Sequence, residues 1–107
     1  WGDGTARREF MYAEDLADAV FYALDNFERM PDMLNIGLGH DFSINEYYDA
    51  VATIVGFEGS FAHDITKPVG MKQKLVSTEK LEDFGWKHRY SLTDGLQKTY
   101  QYYLEKN

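Results

Sequence analysis

The chain contains no cysteine. Disulfides, thiolate-bound metals and a cysteine nucleophile are thereby excluded, and a reducing compartment such as the cytoplasm is the expected setting. Proline is scarce, with Pro31 and Pro68 the only two, so no proline-rich linker divides the sequence. No apolar run approaches the roughly 20 residues that cross a bilayer, and no leader-like segment stands at the start. Basic residues are outnumbered, 11 Lys and Arg against 18 Asp and Glu, leaving a net charge of -7. A field of that sign repels polyphosphate and anionic lipid, so neither nucleic acid nor membrane is an expected partner. An anionic ligand would need a local cluster of cations.

What is present describes a packed domain. Apolar residues make up 44% and aromatics 16% of the 107 residues, enough for one core over residues 1–107. Arg8 to Tyr12 reads as a short strand. From Asp15 a helix follows, with Leu16, Val20, Ala23, Leu24 and Phe27 at helical spacing as its core-facing stripe. Met33 to Ile36 reads as a buried strand stopped by Gly37 and Gly39. Ser43 and Glu46 form a capping-box pattern before a second helix that Gly56 ends. Phe61 to Ile65 suggests a strand, Lys67-Pro68-Val69-Gly70 a turn, and Gln73 to Val76 a last short strand. Ser77 or Thr78 opens a short helix stopped by Gly85. Ser91 and Asp94 open the final helix, whose stripe is Leu92, Leu96, Tyr100, Tyr103 and Leu104. The expected class is α/β, with about four helices and three or four short strands.

Most motif matches carry little. Gly37-Leu38-Gly39 imitates half of a dinucleotide-binding loop, but Phe42 stands where the third glycine belongs, which favours a plain strand-to-helix turn. Tyr102 and Lys106 have a Y-x-x-x-K spacing, yet eight tyrosines make such spacings common by chance. His40, His63 and His88 lack partners at metal-ligand spacing. The cations are more informative. Arg7 and Arg8 lie near Trp1 and two glycines, and Lys67, Lys72 and Lys74 surround the Pro-Gly turn. Surface Arg and Lys are usually just solvated. Against that stands an aromatic plane able to stack a base beside a guanidinium able to fork onto phosphate oxygens.

The ordered motifs W-G-x-G-x-x-x-R-E-F with D-L-A, N-I-G-x-G with S-I-x-E, K-P-x-G, L-x-x-F-G-W and S-L-x-x-G-L-x-x-T-Y-x-x-Y-L span the chain. Together they resemble the C-terminal substrate-binding subdomain of extended short-chain dehydrogenases that act on nucleotide sugars, most of all the GDP-L-fucose synthase (epimerase-reductase) family. The resemblance implies that Trp1 packs near the nucleotide, Arg8 grips the pyrophosphate and Lys74 is a second anion contact. Arg7 matches a variable position and is expected on the surface. Val69 stands where the family usually has an acidic residue and Gln73 where it often has a basic one, which leaves base and sugar preference open.

The family holds NADP on an N-terminal Rossmann domain with G-x-x-G-x-x-G, where a Ser, a Tyr and a Lys transfer protons. This chain has none of those segments. It is therefore expected to be a substrate-binding part without its Rossmann domain, catalytically inactive alone, with apolar surface that favours homodimers. The expected ligand is a GDP-sugar or another nucleotide sugar. A stand-alone nucleotide-sugar module, a sister epimerase or dehydratase, and a purely structural domain are the alternatives.

Overall fold

The computed structural model describes all 107 residues. Strand β1 (Arg7–Arg8) leads into helix α1 (Ala13–Asp25), followed by a single 3-10 turn at Phe27–Arg29. Strand β2 (Phe42–Ser43) runs directly into α2 (Ile44–Val55), and α3 (Glu79–Phe84) and α4 (Leu92–Lys106) complete the chain. The only sheet is the antiparallel pair β1–β2, with Arg7 opposite Ser43 and Arg8 opposite Phe42.

Local chemistry explains the helix boundaries. Ser43 Oγ accepts the Glu46 N–H at 3.1 Å, and the Ser43 N–H donates to Glu46 Oε2 at 2.6 Å, so the expected capping box forms in full. Ser91 caps α4 in the same way through the Asp94 N–H. Gly56 and Gly85 end α2 and α3 with φ of 71° and 102°, a left-handed region that glycine enters without steric cost. Thr78 precedes α3 but makes no backbone cap; its hydroxyl donates to Glu82 instead.

Four helices are present as expected, but the strands are fewer and shorter. Residues 33–36 and 61–65 form no strand, with a bend at Met33 and a turn at Ile65, and the 73–76 segment contributes one parallel bridge, Gln73 to Arg7. A strand exists only where a neighbour pairs with it, and in this chain most of these segments have none. The motif L-x-x-F-G-W is core: Leu81, Phe84 and Trp86 are buried, and Leu81 and Trp86 cluster with Ala19 while Met11, Tyr22, Leu34 and Ile36 pack around them.

The expected core stripe of α1 points the other way. Its buried residues are Asp15 and Ala19, whereas Leu16, Val20, Leu24 and Phe27 are each about half to two-thirds exposed. The opposite face is held by specific bonds. The Asp15 carboxylate accepts the Arg89 and Tyr90 N–H groups at 2.9 and 3.1 Å, and Asp18 accepts from Trp86 Nε1 at 2.9 Å. The radius of gyration is 16.5 Å, against roughly 13 Å for a compact domain of this length. The molecule is thus spread out, with one apolar helix face uncovered. No helix is long and apolar enough to cross a membrane.

Candidate anion-binding face

Strand β1 is the centre of the site, because alternation along it sends successive side chains to opposite sides. Segment 72–74 lies parallel to β1: the Arg7 N–H donates to Lys72 O at 2.9 Å and the Lys74 N–H to Arg7 O at 3.2 Å. Arg7 and Gln73 are register partners. Arg8 and Lys74, one residue further on each strand, therefore share the opposite side of the ribbon.

The Arg7 side is filled by partners. Arg7 Nε donates to Asp41 Oδ1 at 2.7 Å and Nη2 to Asp41 O at 3.0 Å, while Gln73 Nε2 donates to Asp41 Oδ2 at 2.6 Å. Nη1 lies 3.7 Å from Glu46. Asp41 is almost enclosed, its side chain 6% exposed. The Gln73 amide first, and then Arg7, hold its carboxyl below the ordinary aspartate range. Arg7, expected on the surface, is partly exposed there but is also a structural anchor, because a carboxylate lies within reach of its fork. Two residues along, Glu9 also ties segments together, its carboxylate accepting the N–H groups of Leu38, Gly39 (2.9 Å) and Val76 (3.2 Å).

The other side is cationic and open. The Arg8 guanidinium makes one hydrogen bond, from Nη1 to Arg7 O at 2.7 Å, and neither Arg8 nor Lys74 has a carboxylate within ion-pair distance. Lys72 is likewise unpaired and exposed. Tyr47, buried on α2, steadies this stretch by donating to Arg8 O at 2.8 Å and accepting the Phe10 N–H at 3.2 Å. In a protein of charge -7, Arg8, Lys72 and Lys74 thus carry positive charge without a carboxylate partner.

Trp1 stands apart from this pair. Its indole is 79% exposed and is covered on one face by Lys67, whose Nζ lies 5.8 Å from the ring centroid. The Gly2 N–H donates to Asp64 O, which fixes the N-terminal stretch beside that turn. The neighbouring glycines serve packing: side chains at Gly2 and Gly4, both at positive φ, would run into Val69 and Asn45. The backbone register thus runs Arg8 alongside Lys74, while Trp1 stands against a different lysine, Lys67. Sequence reasoning missed Glu9, Asp41 and Tyr47, whose partners lie far along the chain and leave no mark in local spacing.

Other candidates fall away on geometry. Tyr102 and Lys106 lie on the exposed end of α4, the ammonium stacked 5.6 Å over the phenol ring and not aimed at its hydroxyl proton. A mainly apolar hollow of about 120 Å³ is lined by Phe10, Tyr12, Phe42, Tyr47, Tyr90 and Leu96 among others, and none of Trp1, Arg8 and Lys74 reaches it. No three His, Asp or Glu side chains are grouped to hold a metal ion. NADP, implied by the resemblance, does not fit these residues. The Gly37–Gly39 turn already directs its N–H groups at Glu9, and a two-stranded antiparallel sheet has no parallel crossover crevice for a dinucleotide.

Comparison with known proteins agrees with this division. Residues 1–37 match the NAD dependent epimerase/dehydratase family. The chain is 55% identical to GDP-L-colitose synthase from Yersinia pseudotuberculosis, with all of this chain aligned to 35% of that protein. It is 47% identical to GDP-L-fucose synthase from Azorhizobium caulinodans, again over the full chain and 34% of the relative. Among solved structures, a GDP-mannoheptose C4 reductase from Campylobacter jejuni with NADP bound superposes with a TM-score of 0.85 at 37% identity, over 97% of this chain and 33% of that one. The chain spans about a third of the length of these relatives. In sequence along its whole length and in fold, the chain corresponds to the C-terminal part of extended short-chain dehydrogenase/reductase proteins.

Proposed function

We propose that this chain is the nucleotide-sugar-binding part of an NADP-dependent epimerase-reductase acting on a GDP-sugar. Arg8 and Lys74 hold the diphosphate and Trp1 packs near the nucleotide. The observation that carries the reading is the register of the 72–74 segment on β1, which sets two unpaired cations on one side of the ribbon. A diphosphate has acceptor oxygens on neighbouring phosphorus atoms, a spacing suited to a guanidinium beside an ammonium. The face is open, so this chain supplies one wall; NADP and the groups that move protons and hydride belong to the rest of a longer protein. A cysteine-free chain acting on an activated sugar suits the reducing cytoplasm.

Calorimetric titration of the chain with GDP tests the proposal. Each charged contact contributes about 1.5–3 kcal/mol, so Arg8→Ala with Lys74→Ala should weaken GDP binding by at least tenfold, while Lys106→Ala leaves it unchanged. Binding should also weaken as salt rises, through screening. Equal affinity of the wild type and the double variant overturns the assignment.

A further inference from the structure

The two sides of β1 are mechanically coupled. Arg8 and Lys74 share a side only while segment 72–74 keeps its parallel register against Arg7, and that register rests on two backbone bonds from a single isolated bridge. So short a pairing is weak by itself, because few ladder bonds offset the ordering of the segment. What reinforces it lies on the reverse side. The Asp41 carboxylate takes Arg7 on one oxygen and Gln73 on the other, so one side chain bridges both members of the bridge. Its backbone carbonyl accepts from Arg7 as well, and Asp41 sits immediately before β2, which pairs with β1 on the other edge. A slip of one residue along the ribbon would exchange the sides, moving Lys74 away from Arg8.

We propose that Asp41 is a positioning residue for the anion site: its bidentate clamp on Arg7 and Gln73 sets the register that places Lys74 beside Arg8. This rests on the GDP-sugar reading above and adds to it a residue that touches no ligand and carries the wrong charge for one. That sign makes the proposal testable. By Coulomb's law alone, removing a carboxylate near an anion site tightens anion binding. A positioning role requires the reverse.

The experiment compares the chain with Asp41→Asn, Gln73→Ala and the double variant Asp41→Asn with Gln73→Glu, using GDP titration and amide hydrogen exchange by NMR. In the double variant the introduced amide can accept from Arg7 and donate to the introduced carboxylate, restoring both bonds with unchanged net charge. Asp41→Asn is expected to weaken GDP binding about tenfold, the equivalent of roughly 1.4 kcal/mol, and to speed exchange at the Arg7 and Lys74 amides while α2 amides stay protected. Gln73→Ala removes one of the two bonds and leaves the Arg7–Asp41 pair in place, so it should act in the same direction, less strongly. The double variant should recover at least half of the lost affinity. Unchanged or tighter GDP binding in Asp41→Asn overturns the proposal, as does unchanged exchange at Arg7 and Lys74. If the wild-type chain binds no GDP, the ligand reading itself falls and the positioning proposal with it; if it binds GDP and Asp41→Asn binds equally, only the latter falls.

Discussion

Asp15→Asn offers a demanding test of what holds the helices together. Asp15 has no exposed surface and spends both carboxylate oxygens on the Arg89 and Tyr90 N–H groups, at 2.9 and 3.1 Å. These two residues immediately precede the Ser91 cap, so the carboxylate ties the entry of α4 to the first turn of α1. Asparagine has nearly the same shape but only one acceptor oxygen. Its amide group must then face a backbone N–H, donor against donor, at a position with no solvent-exposed surface. A hydrogen bond to a charged group contributes about 1.5–3 kcal/mol, and a stranded buried donor costs about 1–3. The substitution should therefore destabilise by roughly 3 kcal/mol. For a domain of this size that is a fall in melting temperature of about 12 °C. Glu14→Gln is the control: Glu14 accepts the Tyr90 hydroxyl at 3.0 Å, but at an exposed position, where the expected cost is within about 0.5 kcal/mol. Thermal unfolding followed by circular dichroism reads both variants. A fall below about 3 °C for Asp15→Asn, or an equal effect of Glu14→Gln, would refute the idea that this carboxylate joins α1 to α4.

Two further outcomes are expected. Ser43→Ala removes the side-chain half of the α2 capping box and should cost about 1 kcal/mol in urea unfolding, with an unchanged m-value; no measurable change would mean the cap is dispensable. Asp41 has a folded-state pKa below its ordinary value, through Gln73 and then Arg7. Its stabilising contribution is thus complete above the unfolded value of about 3.9 and is lost as pH falls through the folded one. Asp41→Asn should be less stable than wild type at pH 6 and converge with it near pH 2, measured as urea midpoints across that range. A deficit independent of pH would show that lost packing, not lost charge, is responsible.

The local grammar of the chain was legible in the sequence. Ser43 with Glu46, Ser91 with Asp94, Gly56 and Gly85 all act through bonds and dihedral angles within one turn of the helices they bound, so residue type and spacing suffice to place them. Arg8 and Lys74, in contrast, were singled out by resemblance and not by spacing.

Direction and partnership needed the tertiary structure. The Leu16, Val20, Leu24 stripe of α1 has the periodicity of a core face, yet a period says only that one side is apolar, not which neighbour exists to cover it. In this chain the neighbours of α1 lie on its Asp15 and Ala19 side. The pairing of Arg7 with Asp41 across 34 positions, and the parallel register that carries Lys74 to Arg8, are long-range contacts with no trace in local pattern. Sequence alone determined the capped helix ends at Ser43, Gly56, Gly85 and Ser91, because capping is a short-range event. Which arginine is consumed by a carboxylate and which stays unpaired was decided by the fold, since an ion pair depends on distance in space.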